Sequence, residues 1–257
     1  MSPWIWSVQD AVQLYARVFC FPYAGASAHI FHRWGVYAPA DLDLWGVELP
    51  GHGQRLREAP FKRLDRLAAA LANHLHPYLK NRYVFFGHSM GALVAFELAR
   101  ELCRRKQPGP AWLFLSGCQA PHLPSRKRVL HSLGDVELIS ELRSIRGTPV
   151  EVLNNSELMK VLMPSFRADF ELCETYSCNP ESPLDTPIQI FGGACDPDVT
   201  ADELAAWSLH TRQFAGVKSF AGDHFYLNRN APEILHTIYQ KLQQSERPIV
   251  WRETKSF

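Results

Sequence analysis

One short segment constrains the fold of this chain more than any other. Residues 83–86 form an apolar run that leads directly into Gly87-x-Ser89-x-Gly91, and a helical pattern of apolar residues follows at once. A strand, a sharp turn and a helix in this order are what a nucleophile elbow requires, because the turn lifts a serine hydroxyl clear of the sheet. The pattern therefore predicts Ser89 as a nucleophile. An ordinary glycine-bounded turn with a solvated serine is the alternative.

The composition is typical of a soluble globular protein and excludes some classes of function. The chain has 257 residues, of which 46% are hydrophobic and 21% charged. Its formal net charge of +1 gives no field that would attract nucleic acid or a membrane surface. No apolar run is long enough to span a bilayer, and residues 1–6 do not form a secretory signal. Six cysteines without Cys-x-x-Cys spacing indicate a reducing compartment, so we expect a cytoplasmic monomer.

Apolar runs alternate with helical patterns along most of the chain. This alternation favours a single α/β domain over residues 1–257, with a mostly parallel central sheet and helices on both faces. The stretch 119–186 interrupts the rhythm, because it has helical periodicity and no convincing strand. We expect it to form a helical lid insertion, with a decorative subdomain as the alternative. The polar tail, 245–257, is expected to be partly disordered. Strands are predicted at 17–21, 42–48, 83–86, 111–116, 188–191 and 217–220, and helices at 29–37, 64–79, 90–106, 136–144, 157–163, 166–176, 202–208 and 232–242.

Two further groups complete the chemistry that a serine nucleophile needs. A serine hydroxyl is weakly nucleophilic near neutral pH until an adjacent base removes its proton. In α/β hydrolases an acid and then a histidine follow the serine along the chain. His224 follows the last predicted strand and is expected to be the base. Asp196 lies just after an earlier strand and glycine turn and is expected to hold the histidine ring, with Asp198 as the alternative acid.

The remaining histidines lack this combination of position and acid. The chain has eleven in all. His88 lies inside the elbow, where its side chain is expected to point away from the reaction centre. Others, such as His52 and His131, have no suitable acid nearby in the sequence. Since there is no His-Glu-x-x-His pattern or cysteine cluster either, we expect neither a metal nor a cofactor.

An oxyanion hole is the last requirement of the reaction. It consists of two backbone N–H groups aimed at the oxygen on which negative charge develops. One should belong to Met90, the residue after the nucleophile, and the other to the loop after an early strand. Residues 19–27 fit that loop, and Ala24 is the predicted second donor.

Six motifs in the same order resemble those of the type II thioesterases of polyketide and nonribosomal peptide synthesis. They span residues 19–242, and together they are far more specific than any one of them. They are Phe-Pro-Tyr-Ala-Gly (21–25), Leu-Pro-Gly-His-Gly-Gln-Arg (49–55), Gly-His-Ser-Met-Gly (87–91), Pro-Ser-Phe-Arg-Ala-Asp-Phe (164–170) with Glu-Thr-Tyr (174–176), Gly-Gly-Ala-Cys-Asp-Pro (192–197) and Gly-Asp-His-Phe (222–225).

The resemblance implies a stand-alone editing hydrolase of the α/β-hydrolase fold. Members of that family cleave unwanted acyl groups from the phosphopantetheine arm of acyl or peptidyl carrier proteins. Matching motif positions imply Ser89, Asp196 and His224 as the triad, and Ala24 with Met90 as the oxyanion donors. The segment 167–169 is implied as part of the lid region, more as a structural anchor than as a catalytic group.

Two departures and three alternatives qualify this prediction. Ala26 stands where the family usually has a second glycine, and His52 stands where it more often has arginine. Neither change removes a catalytic group. A small-molecule esterase, a chain-releasing thioesterase and a non-catalytic binding module of the same fold are the alternatives.

Basic residues at 100–106 or 126–128 are candidates for docking an acidic carrier, but a solvated helix end explains them equally well.

Overall fold

A seven-stranded sheet organises the part of the chain that the computed structural model describes, residues 2–125 and 128–245. The strand order is β1-β3-β2-β4-β5-β6-β7. Strands β2 to β7 pair in parallel, and β1 pairs antiparallel with β3 at one edge. The sheet is therefore mostly parallel, as predicted. The strands are β1 (Ile5–Gln9), β2 (Ala16–Phe21), β3 (Leu42–Val47), β4 (Tyr83–His88), β5 (Leu113–Ser116), β6 (Ile188–Gly193) and β7 (Phe214–Phe220).

Helices cover both faces of this sheet. Successive side chains of a strand point to opposite faces, so Phe85 and Phe86 of β4 enter different apolar clusters, and both are fully buried. The cluster around Phe85 includes residues of α1 (Leu64–Leu75) and α2 (Met90–Arg104). The cluster around Phe86 includes residues of the 3₁₀ helix Ala28–Val36 and of α7 (Ala231–Gln244). This is the α/β-hydrolase arrangement expected from the sequence.

Three helices occupy the connection between β5 and β6. They are α3 (Asp135–Ile145), α4 (Val150–Leu153) and α5 (Ser156–Glu174). A third apolar cluster joins them and includes Leu138, Leu153 and Met159. The predicted stretch without strands is thus helical, and its helices share apolar contacts of their own. A further short helix, α6 (Ala201–Ala205), follows β6.

Several predicted boundaries were wrong, for identifiable reasons. The predicted helices 157–163 and 166–176 are one helix, because burial on both sides of Pro164 keeps α5 continuous despite the missing N–H. The helix predicted at 64–79 ends at Leu75, since Pro77 allows only a short 3₁₀ turn, His76–Tyr78. The edge strand β1 was missed because most of its residues are only half-buried, which leaves a weak apolar pattern.

Three other expectations concern the whole chain. The predicted disordered tail falls almost entirely on residues 246–257, which lie outside the described residues. Among the helices that the structure does describe, none combines the length and apolarity that crossing a membrane requires. The six cysteines are thiols.

A matched pair of leucine substitutions tests this packing. Leu235→Ala is expected to lower the free energy of unfolding by about 2–5 kcal/mol, because this side chain of α7 is fully buried and its removal leaves a cavity. Leu209→Ala is expected to change it by less than about 0.5 kcal/mol, because Leu209 is 66% exposed. Urea denaturation followed by tryptophan fluorescence measures both values. Equal losses at the two positions would contradict the described packing of α7.

Candidate active site

Ser89 lies at the turn between β4 and α2. Its backbone angles, φ 54° and ψ −117°, are unusual for a residue with a side chain and store strain at the turn. Its N–H donates to the Ser116 carbonyl of β5 at 2.8 Å, which holds the turn against the neighbouring strand. Its side chain makes no capping hydrogen bond to α2 and instead lines a cavity. The turn therefore presents the hydroxyl to that cavity.

The two glycines of the elbow are required by close packing. A Cβ atom at Gly91 would collide with the backbone carbonyls of Phe21 and Pro22, and one at Gly87 would collide with the backbone of Gly91. Helix α2 can thus approach the sheet closely only because both positions lack a side chain.

Asp196 and His224 meet at the same edge of the sheet as Ser89. Asp196 follows β6, His224 follows β7, and the distance from His224 Nδ1 to Asp196 Oδ2 is 2.8 Å. Both side chains are shielded from water, with 8% of His224 and 2% of Asp196 exposed. A carboxylate oxygen can only accept, so Nδ1 carries the proton in the neutral ring and Nε2 is the basic nitrogen. The imidazole and Ser89 line the same cavity.

Asp198 lies close to this pair. Its backbone N–H donates to Asp196 Oδ1 at 2.8 Å, and its side chain lines the cavity. One ligand atom each of Asp196, Asp198 and His224 lies within 4.8 Å of the others, a spacing that a metal ion could also use. The hydrogen bond between His224 and Asp196 favours Asp196 as the residue that orients the imidazole, and Asp198 as its backbone support.

The two predicted oxyanion donors come from different segments of the chain. Ala24 and Met90 both line the cavity. No described group accepts a hydrogen bond from the N–H of either residue. Since Met90 is the first residue of α2, its N–H also lies at the positive end of the helix dipole. These two amides are therefore suited to stabilise a developing oxyanion.

The cavity has a volume of about 410 Å³. Its lining combines the loops after the strands, which carry Ser89 and His224, with the helical connection between β5 and β6. Side chains from that connection include two carboxylates, those of Glu141 and Glu174, and several apolar groups: Leu142, Ile145, Phe166, Phe170 and Cys173. A cavity of this size and character can enclose a small acyl chain.

His88 makes buried contacts next to His224 that its place in the sequence did not indicate. Its ring lies beside that of His224, with 5.0 Å between their centroids, and is fully buried. Its Nδ1 is 2.8 Å from Ser116 Oγ, which in turn bonds to the hydroxyl of Tyr226. Burial, followed by the nearby charge of His224, lowers the pKa of His88 well below its usual value. His88 thus links the ring of His224 to the buried hydroxyls of Ser116 and Tyr226.

Two other histidines have acids that are distant in sequence. His52 Nε2 is 2.8 Å from Asp169 Oδ2, and His131 bonds to Glu174. Neither acid is nearby in the sequence, but α5 brings each carboxylate to its histidine in three dimensions. No local pattern could have indicated either pair.

The basic cluster near the end of α2 is largely neutralised. Arg100 is only 5% exposed and pairs with Glu97 and Glu181. Arg104 and Arg105 also pair with glutamates of this region. These contacts favour a structural role for the cluster over docking. In the second predicted cluster, Arg126 and Lys127 lie outside the described residues.

The chain is similar to known proteins over most of its length. The family model described as "Thioesterase domain" matches residues 16–242. Gramicidin S biosynthesis protein GrsT of Aneurinibacillus migulanus is 38% identical over 237 residues, which cover 92% of each chain.

Solved structures of type II thioesterases are also similar to this chain. The type II thioesterase BorB from the borrelidin biosynthetic cluster is 35% identical, with a TM-score of 0.84 over 93% of this chain and 97% of BorB. YbtT, a type II thioesterase from the yersiniabactin pathway, is 33% identical, with a TM-score of 0.85 over 94% of this chain and 98% of YbtT.

Paired substitutions distinguish the two candidate acids. Asp196→Asn is expected to slow labelling of Ser89 by a fluorophosphonate about 10³- to 10⁴-fold, because the amide no longer holds the reactive tautomer of His224. Asp198→Asn is expected to have a much smaller effect, since the backbone N–H that supports Asp196 remains. A larger loss in Asp198→Asn would reverse the assignment of the acid.

Proposed function

This chain belongs to the thioesterase domain family, and from that premise we propose that it is a stand-alone editing thioesterase. It hydrolyses unwanted acyl groups from the phosphopantetheine arm of acyl or peptidyl carrier proteins. The observation that carries this proposal is a family match over residues 16–242 in a chain whose Ser89 and His224 line one cavity. GrsT, BorB and YbtT, which are named for biosynthetic pathways, match this chain over nearly their full lengths.

The reaction proceeds through an acyl-serine intermediate. His224 Nε2 takes the proton of Ser89 Oγ as the oxygen attacks the thioester carbonyl. The N–H groups of Ala24 and Met90 stabilise the resulting oxyanion. As the intermediate collapses, the C–S bond breaks and the imidazolium returns its proton to the departing carrier thiol. Water, activated by His224, then releases the acid and regenerates Ser89.

The demands of this substrate fit the site. A thioester is activated toward attack and its thiolate leaves readily, so positioning and oxyanion stabilisation are the main tasks of the protein. Asp196 keeps the imidazole oriented for both proton transfers, and the helical wall of the cavity excludes bulk water from the acyl group. We propose that residues 119–186 form the lid of this cavity, and that the protein acts as a monomer in the cytoplasm, where its cysteines remain thiols.

Hydrolysis of carrier-bound acetyl and propionyl groups tests the function. Wild-type protein is expected to release the free carrier thiol. Ser89→Ala is expected to release it at least about 10³-fold more slowly, because the nucleophile is absent. Thiol release is measured with a disulfide reagent. Ser208→Ala, at an exposed position, is the matched control. Equal rates for Ser89→Ala and wild type would overturn the proposal, and a marked preference for the corresponding oxygen esters would indicate an esterase.

A further inference from the structure

One carboxylate joins three parts of the chain next to the proposed oxyanion hole. Asp169 Oδ2, on α5, accepts a hydrogen bond from the N–H of Gly25 at 2.7 Å and lies 2.8 Å from His52 Nε2. Gly25 directly follows Ala24, the proposed oxyanion donor. Asp169 and His52 are only 3% and 4% exposed. The buried pair therefore attaches the loop that carries Ala24 to α5 and to the loop after β3.

Neighbouring contacts of α5 reinforce the same attachment. Phe166 packs against Gly25, where no room remains for a side chain. Ser165 donates from its hydroxyl to the carbonyl of Gly51, the residue before His52. Contacts of Ser165, Phe166 and Asp169 thus place α5, the Ala24 loop and the His52 loop in fixed positions relative to one another.

The hydrogen-bond partners of His52 indicate its protonation state. Nδ1 lies 3.1 Å from the carbonyl oxygen of Pro50, and Nε2 lies 2.8 Å from Asp169 Oδ2. The carbonyl can only accept, and a carboxylate that already receives the Gly25 N–H is an acceptor as well. A neutral imidazole has a single N–H and satisfies only one of these two oxygens. An imidazolium donates to both.

The charged groups around the ring support the same state. Asp169 faces it from α5 and Glu48 from the end of β3, while Arg55 bonds to the carbonyl of Glu48 and to the carboxylate of Glu58. Burial alone would lower the pKa of His52, but the charge and hydrogen bond of Asp169, the Pro50 carbonyl and the charge of Glu48 outweigh it and raise the pKa. Burial raises the pKa of Glu48. The stabilising contribution of the His52 proton is therefore fully present below the unfolded-state pKa and is lost as the pH rises through the higher folded-state pKa.

We propose that His52 is a positioning residue whose imidazolium, paired with Asp169, holds the Ala24 loop in its catalytic position, so that loss of this proton at alkaline pH lowers turnover. This inference rests on the proposed function, because it concerns the oxyanion hole of that reaction. His224 acts as a base in its neutral form, whereas His52 must be charged, so that deprotonation of His52 makes turnover fall as the pH rises. The loss of turnover at alkaline pH is thus assigned to His52, a group that does not touch the substrate.

Substitutions at position 52 test the assignment through the pH dependence of kcat and KM for an acyl carrier substrate. Wild type is expected to lose kcat on the alkaline side. His52→Arg is expected to show no such limb up to about pH 10, because a guanidinium stays charged there. His52→Gln is expected to lower kcat about 10- to 100-fold at all pH values with little change in KM, since the loop is misplaced but the acyl cavity is not. His236→Gln, on the exposed side of α7, is the matched control. Coincident alkaline limbs in wild type and His52→Arg, or a wild-type kcat with no alkaline limb below the pH of unfolding, would overturn the proposal.

A measurement on the unmodified protein needs neither activity nor a folded variant at position 52. In ¹⁵N-histidine-labelled wild type, the ring signal of His52, identified by its coupling to the backbone amides of its loop, is expected to show two protonated nitrogens at neutral pH. It is expected to lose one of these two protons as the pH is raised. A neutral tautomer at pH 7 would overturn the proposal even in an active thioesterase. If instead His52 is an imidazolium but carrier thioesters are not hydrolysed, the proposed function is wrong and the charged pair stands.

Discussion

The close approach of α2 to the sheet is the constraint on which the site depends. The backbone of Gly91 lies against the carbonyls of Phe21 and Pro22, so the turn before it has no room to relax. Ser89 keeps its strained backbone angles only because the strands and helices around it are packed on both faces. That same packing sets the position of Met90 at the start of α2 and of Ala24 after β2. The proposed nucleophile and oxyanion donors are therefore positioned by one set of contacts.

The parts of this arrangement that could be predicted from sequence are those with a local signature. The apolar run before Gly87 and the helical pattern after Gly91 predicted β4 and α2 closely, because a strand buried on both faces needs continuous apolar residues. His224 could be predicted from its place after the last strand. For Asp196 and Asp198 the order of motifs was not enough. Only the three-dimensional structure shows which carboxylate bonds to the imidazole.

What could not be predicted depends on contacts between distant segments. The pair of His52 and Asp169 joins residues 117 positions apart, and the contact of Ser116 with Tyr226 joins residues 110 positions apart. Neither has a periodicity or spacing that a sequence would show. The continuity of α5 through Pro164 is similar, because tertiary burial overrides a strong local preference against proline within a helix. Residues that lie in local sequence motifs could thus be predicted. The contacts between distant segments that hold them in place could not.

The helices between β5 and β6 have an apolar cluster separate from the two that flank the sheet. The side chains proposed to react belong to loops of the sheet, while much of the cavity wall belongs to these helices. Replacement of Leu142, Ile145 or Phe170 reshapes the wall without touching the contacts that strain Ser89. Selectivity and reactivity can consequently diverge during evolution, with new acyl preferences arising on a preserved reaction centre.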